Sequence, residues 1–125
     1  MNYPTYDLTL NQYQERSKAT AVYPRIQISI DGGPLIDAPW LYPLLGLCGE
    51  VGEMVEKYKK LLRDAHGEMT EERKHAIREE RGDALWYLAR LASVDSTLEN
   101  DAQVNLAKLA SRKERGKLKG SGDTR

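Results

Sequence analysis

Apolar residues recur at helical spacing in three long segments of the chain. Over residues 41–63 they fall three or four positions apart, which is the period of an amphipathic helix. A second long helix is predicted over residues 70–94, which open with good helix formers and become apolar towards the end. A capping box at Ser96 and Glu99 predicts a third that runs to about Arg115. Helices therefore account for most of the chain.

The first part of the chain and its last ten residues follow a different pattern. A shorter helix is predicted over residues 9–21, and Pro24 ends it. Residues 22–40 are rich in proline and are predicted to be a loop, with a short exposed strand over residues 25–30. The polar, glycine-rich residues 116–125 are predicted to form a flexible tail.

These elements indicate an all-α, four-helix-bundle-like fold with one domain over residues 1–125. Residues 84–89 are apolar for more than a full helical turn, so a single buried face does not account for them. A helix that is apolar on all sides is buried on all sides. We therefore expect an oligomeric protein, a homodimer or homotetramer, in which the face that carries Trp86 contacts a partner subunit.

Charge and cysteine content exclude several classes of protein. Lysine plus arginine equals aspartate plus glutamate at 19 each, whereas binders of nucleic acid or membrane surfaces normally carry a basic excess. Neither partner is expected. Cys48 is the only cysteine and cannot form an internal disulfide. Because the sequence shows neither a signal peptide nor a membrane-spanning run, we expect a soluble cytoplasmic protein.

Four carboxylates form two matched pairs, Glu50 with Glu53 and Glu80 with Asp83. A spacing of three residues puts both members of a pair on one face of a helix. Helical angles place Glu80 inside the apolar stripe of its helix, whereas Glu79 falls outside it. Buried carboxylates are costly to keep ionised without a counter-charge, so the pairs predict a divalent metal site. The alternative is that they are solvated charges on ordinary helix surfaces.

Hydrogen-bond donors accompany the acids. If Leu106 faces the core, Asn105, Lys108 and Arg112 line up along one flank of the last helix, and Lys57 shares a strip with the first acid pair. Mg²⁺ is usually held by a few carboxylates together with substrate phosphates. Lysine and arginine then neutralise the remaining phosphate oxygens. Acids and donors together predict a site for a metal-bound polyphosphate.

Three glycines, Gly46, Gly49 and Gly52, interrupt the helix beside the first acid pair. Each costs roughly 1 kcal/mol relative to alanine in a helix interior. We expect them to allow either the close packing of another helix or the close approach of a ligand.

Three segments in this order, GEVGEMVEKYKK, EERGDALWYLARLA and NLAKLASRKERGK, resemble the motifs of MazG-like nucleoside triphosphate pyrophosphohydrolases in the all-α NTP pyrophosphatase superfamily. The resemblance covers residues 42–123 well and the first helix more loosely. It implies an enzyme that hydrolyses an NTP or dNTP between the α- and β-phosphates, giving a monophosphate and pyrophosphate. The implied role is sanitation or control of the nucleotide pool.

The resemblance also implies the site residues. Mg²⁺, or Mn²⁺ as a substitute, would be bound by both acids of each pair. Glu50 or Glu53 would act as general base, and Tyr87 would contact the nucleobase or the ribose. Residues 25–40 do not match the family pattern, and we expect them to influence base selection. The implied metal ligands are Glu50, Glu53, Glu80 and Asp83, and the implied phosphate contacts are Lys57, Asn105, Lys108, Arg112 and Arg115.

Two other functions fit the same pattern. One is a base-specific dUTP or dCTP pyrophosphatase of the same superfamily. The other belongs to a different class, a non-catalytic helical bundle that serves as a scaffold or senses nucleotides. A panel of nucleotides assayed with Mg²⁺ separates these alternatives.

Overall fold

The structure, a computed structural model, describes residues 4–122. Its four α-helices confirm the predicted all-α, four-helix fold. Residues 1–3 and 123–125, which include the end of the predicted flexible tail, lie outside the described part. The elements are α1 (Leu10–Ser17), a 3₁₀ turn (Lys18–Thr20), the antiparallel strands β1 (Gln27–Ser29) and β2 (Leu35–Asp37), α2 (Leu41–Ala65), α3 (Glu71–Ala92) and α4 (Leu98–Glu114).

The start of α4 differs by one residue from the predicted capping box. The N-cap is Thr97, whose Oγ1 accepts a hydrogen bond from the Asn100 N–H at 3.1 Å. Ser96 instead donates its hydroxyl to the Asp101 carboxylate at 2.9 Å. The predicted cap at Ser96 is therefore wrong, and a side-chain contact replaces it.

Two rows of residues along α2 differ in exposure. One row packs on α3 and includes two charged residues, Glu50 and Lys57. The inner face is formed by the buried or half-buried Pro43, Leu47, Glu50, Met54, Lys57 and Leu61.

A second row on α2, offset by one residue, lies about 100° around the helix from the inner face. Val55 and Leu62 in this row are 61% and 71% exposed. The row repeats every three or four residues, as a helix-packing seam does, and is called the outer stripe below. It consists of the exposed residues Leu44, Cys48, Val51, Val55, Tyr58 and Leu62.

The apolar core lies where α1, α3 and α4 meet. Ala89 and Ala92 of α3 pack with Leu98 of α4, and Tyr13 of α1 covers them. Trp86 also packs within the chain, since its indole N–H donates to Thr20 Oγ1 at 2.8 Å. The expectation that Trp86 faces a partner subunit is therefore not needed to explain its burial. Within residues 4–122, no helix has the length and apolar content needed to cross a lipid bilayer.

Candidate active site

Three carboxylates meet in the groove between α2 and α3. Glu50 comes from the inner face of α2, and Glu80 and Asp83 come from α3; one oxygen of each lies within 4.8 Å of the others. Glu80 is 8% exposed, Glu50 is half-buried and Asp83 is exposed. Glu79 is exposed. The placement of Glu80 inside the apolar stripe, with Glu79 outside it, thus agrees with helical periodicity.

Lys57 contributes a positive charge to this group. Its Nζ lies 2.8 Å from Glu80 Oε1, and the hydrogen bond to Glu80 raises the pKa of Lys57. Lys57 follows Glu50 by seven residues, about two helical turns, so both side chains lie on one face of α2. Lys57, predicted as a phosphate contact, therefore contacts an acid of the group in this structure.

Loss of hydration and mutual repulsion raise the pKa of two of the acids. For Glu50 the main cause is burial, followed by the negative charges of Asp83, Glu53 and Glu80. For Asp83, although the residue as a whole is exposed, partial loss of hydration is the main cause, followed by the charges of Glu80 and Glu79. Because both effects disfavour the ionised forms, a cation or a proton bound between these carboxylates relieves an unfavourable interaction.

Glu53 lies one turn beyond Glu50 at the rim of the groove. Its side chain is exposed, and it is not part of the group of three described above. Its charge still contributes to the raised pKa of Glu50. The structure therefore brings three of the four predicted acids together and leaves the fourth beside them.

Tyr87 borders the acids and explains one of the three glycines. A Cβ built at Gly46 would lie 2.2 Å from Tyr87 Cε1, so the ring occupies the space of a side chain. At Gly49 and Gly52 an added Cβ meets no atom within 4 Å among the described residues. Burial, followed by Tyr42 and Glu50, raises the pKa of the Tyr87 hydroxyl. Gly46 thus permits helix packing, whereas the other two glycines leave open space.

The predicted donors on α4 have different environments. Asn105 and Lys108 are exposed, and Arg112 is only 5% exposed. Arg115 donates its Nε to Ser111 Oγ at 3.3 Å. Leu106, predicted to face the core, is 67% exposed. That prediction is wrong, because every position of α4 from 103 to 111 is exposed.

A buried polar network that the sequence pattern did not indicate holds α1 against α3. Arg90, 6% exposed, donates its Nε to Ser17 Oγ at 3.0 Å and its Nη2 to the Gln14 carbonyl at 2.6 Å. The Gln14 side chain donates to Ser93 Oγ at 2.7 Å and accepts from the Leu98 N–H at 2.7 Å. One arginine and one glutamine thus join three helices.

This network places Tyr13 near the acids. Burial, followed by the charge of Asp83, raises the pKa of the Tyr13 hydroxyl. The available signal in the sequence was the spacing from Asp83 to Arg90, because seven residues on a helix return to nearly the same face. The spacing thus indicates only that Arg90 shares a face of α3 with Asp83.

The donor set of the acid group suits a hard divalent cation. It consists of carboxylate oxygens alone, which are the ligands that Mg²⁺ prefers in proteins. Glu80 is buried, and the pKa values of Glu50 and Asp83 are raised, so a cation would offset the cost of keeping them charged. Glu50, Glu80 and Asp83 thus fit a metal of this type.

Comparison with known proteins agrees with the geometry of the groove. The chain is 43% identical over 116 residues to the Gene 37 protein of Mycobacterium phage L5, covering 90% of this chain and 96% of that protein. No solved structure matches the chain. Residues 42–116, which include the acids of both helices and the predicted donors, match the MazG nucleotide pyrophosphohydrolase domain. The chain therefore belongs to the MazG nucleotide pyrophosphohydrolase family.

Proposed function

We propose that the protein is a Mg²⁺-dependent nucleoside triphosphate pyrophosphohydrolase that cleaves an NTP or dNTP between the α- and β-phosphates. The observation that supports this most strongly is the meeting of Glu50, Glu80 and Asp83 in one groove of a chain from this family. The products are a nucleoside monophosphate and pyrophosphate. The reaction would remove or limit nucleotides in the cellular pool.

In this proposal Glu50, Glu80 and Asp83 hold Mg²⁺. When bound, the ion supplies positive charge to phosphate oxygens and makes a water molecule more acidic. Lys57 lies 2.8 Å from Glu80 and keeps part of the negative charge neutralised at that end of the group. The residues thus provide both the acidic centre and an adjacent cation.

We assign Glu53 as the general base rather than as a fourth metal ligand. Its exposed carboxylate lies at the rim of the groove, outside the group of three. A carboxylate oxygen of Glu53 accepts a proton from the attacking water. The water oxygen bonds to the α-phosphorus as the bond from that phosphorus to the bridging oxygen breaks, and the electron pair leaves with pyrophosphate.

Cationic side chains support one orientation of the polyphosphate. Lys57, Lys60 and Arg73, together with one carboxylate, that of Asp64, line a cleft of about 340 Å³ on the side of the acids towards the end of α2. The β- and γ-phosphates lie towards these residues in the proposal, because Lys and Arg neutralise phosphate oxygens. The phosphate contacts predicted on α4 stay predictions: Asn105, Lys108, Arg112 and Arg115.

The outer stripe of α2 supports the proposed homo-oligomer. The six residues of the stripe, from Leu44 to Leu62, are all exposed and mainly apolar. Contiguous apolar surface of this kind marks an interaction site in most soluble proteins. A second copy offers the same stripe, and packing the two stripes around a two-fold axis buries both.

The function is tested by assaying NTPs and dNTPs with Mg²⁺ in water enriched in ¹⁸O, with separate detection of monophosphate, pyrophosphate and orthophosphate. We expect pyrophosphate as the first product and the label in the monophosphate. Glu80→Gln should lower the rate more than about 100-fold, since even changes beside metal ligands cost about 10- to 100-fold. Glu79→Gln, one residue away and exposed, is the matched control.

Three results would contradict the proposal. They are no release from any nucleotide, orthophosphate as the first product, and equal loss in the Glu80→Gln and Glu79→Gln variants. The panel also decides the substrate range: one dominant base would indicate a base-specific enzyme, and similar rates would indicate a broad one.

A further inference from the structure

A second cleft lies outside the acid group. Its volume is about 520 Å³, within the range of small-molecule sites, about 300–1,000 Å³. The base of the β1–β2 hairpin, residues 23–26 and 37–39, supplies one wall, and the start of α2 and the end of α3 supply the other. Its lining includes Tyr23, Arg25, Asp37, Tyr42 and Arg90.

This cleft and the acid group lie along the same two helices, α2 and α3. Asp83 and Arg90 lie on nearly the same face of α3, seven residues and about 10 Å apart along the helix. On α2, Tyr42 precedes Glu50 by eight residues, about 12 Å. The distance from the α-phosphate of a nucleotide to its base is of the same order. A nucleotide whose phosphates contact the acids therefore has its base near this cleft if it points towards Tyr42.

Cations on the opposite side of the acids favour that direction. Lys57 lies two turns beyond Glu50 on α2, and Lys60 and Arg73 line the cleft next to it. The triphosphate end is attracted there, and the uncharged end of the substrate is directed the other way. The acid group thus lies between a cationic cleft and the cleft beneath the hairpin.

The walls of the hairpin cleft have the chemistry of a base-binding site. Tyr23 and Tyr42 are stacked, with ring centroids 5.0 Å apart and planes 11° from parallel. Trp86 meets Tyr23 edge-on at 6.1 Å and limits the movement of that ring. Each ring covers one face of the other, so a nucleobase can stack on the outward face of this pair.

Polar groups at the mouth of the cleft can read the edge of a base. Arg25 Nε donates to Asp37 Oδ1 at 3.0 Å, and Gln27 Nε2 donates to the same oxygen at 2.9 Å. The Arg25 and Asp37 side chains are 74% and 49% exposed. Exposed ion pairs add little to stability, but this pair presents donors and acceptors side by side.

On the basis of the hydrolase function proposed above, we propose that the hairpin cleft is the nucleobase subsite, with Tyr23 and Tyr42 as the stacking surface. Arg25 and Asp37 determine base specificity in this proposal. The hairpin lies in the segment that does not match the family motifs, so it gives this chain its own selectivity. The acids are unaffected by changes at these two positions.

The test compares wild type with Arg25→Met and Asp37→Asn. For the NTP or dNTP with the highest kcat/KM, we expect KM to rise about tenfold or more, as for loss of a hydrogen bond to a charged group. The ratio of kcat/KM between bases should fall, and kcat should change less than about twofold. Calorimetric titration with the corresponding nucleoside monophosphate should show the same loss of affinity without catalysis.

Lys74→Met is the matched control, because Lys74 also forms an exposed ion pair, 2.7 Å from Glu71, away from the hairpin. Selectivity and monophosphate affinity equal to wild type in both hairpin variants would overturn the subsite while leaving the hydrolase function intact. A wild-type protein that releases no pyrophosphate would overturn the hydrolase function, and the subsite with it. Equal losses in the Lys74→Met variant would overturn the subsite alone.

Discussion

The ring of Tyr87 on α3 occupies the space that a side chain at Gly46 on α2 would need. A Cβ at residue 46 would lie 2.2 Å from Tyr87 Cε1. The two helices therefore approach each other closely just before Glu50 contributes its carboxylate to the groove. Packing at this point determines how far apart the acids of α2 and α3 lie.

Replacement of Gly46 and Gly49 by alanine should have opposite effects on stability. Gly46→Ala forces Tyr87 to move and should lower the free energy of unfolding by about 1–3 kcal/mol, as overpacking does. Gly49→Ala meets no atom within 4 Å and should raise it by up to about 1 kcal/mol through helix propensity. Urea denaturation with EDTA measures both. Equal effects of the two substitutions would show that Tyr87 does not restrict residue 46.

Lys57→Met should destabilise the metal-free protein. The substitution leaves Glu80, 8% exposed, without the cation that lies 2.8 Å away. The melting temperature in EDTA should fall, and saturating Mg²⁺ should remove most of the difference because the ion supplies the missing charge. Lys60→Met is the control, since Lys60 pairs at 3.7 Å with the half-exposed Glu56. A difference that Mg²⁺ does not reduce would contradict the proposed metal position.

Arg90→Met should cost about 2–4 kcal/mol of unfolding free energy. It removes hydrogen bonds from a charged donor to Ser17, Gln14 and Ser93 at a buried position, and each such bond contributes about 1.5–3 kcal/mol before relaxation. Chemical denaturation gives the value, and the exposed Arg81→Met is the comparison. Similar costs for both variants would mean that the network does not hold α1 in place.

The acid group should give the metal-free protein a pH-dependent stability. Burial and neighbouring charges raise the pKa values of Glu50 and Asp83 in the folded state. Their contribution is therefore fully present below the ordinary carboxyl pKa of about 4 and is lost as the pH rises through the raised values. In EDTA, Glu50→Gln should gain melting temperature relative to wild type across that range. A difference that does not vary with pH would contradict this linkage.

A charge in the outer stripe of α2 should prevent self-association. Val55→Glu places a carboxylate at a position that is 61% exposed in one chain and buried if two stripes pack together. Light scattering should give an oligomer for wild type and a monomer for this variant. Val22→Glu, at a position 90% exposed outside the stripe, should remain oligomeric. A monomeric wild type would remove the basis for the oligomer.

The sequence predicted the helices well and the faces of α2 less well. Helical period identifies both rows of α2. The row that packs against α3 includes Glu50 and Lys57 and is therefore the less apolar of the two. The more apolar outer stripe resembles a core face, although it is exposed in the chain. Only the position of α3 distinguishes the rows. Strand β2 was not predicted because three residues carry little pattern, and its register depends on pairing with β1.

The hairpin of β1 and β2 and the helices that carry the acids are separate segments of the chain. Its tip turns through Asp31 and Gly32, both at positive φ, 52° and 73°, and the acids lie on helices that begin after it. Insertions or replacements at the tip can therefore accumulate without moving Glu50, Glu80 or Asp83. Natural variation in this short segment would let related enzymes diverge in the nucleotides they accept while the hydrolytic chemistry stays the same.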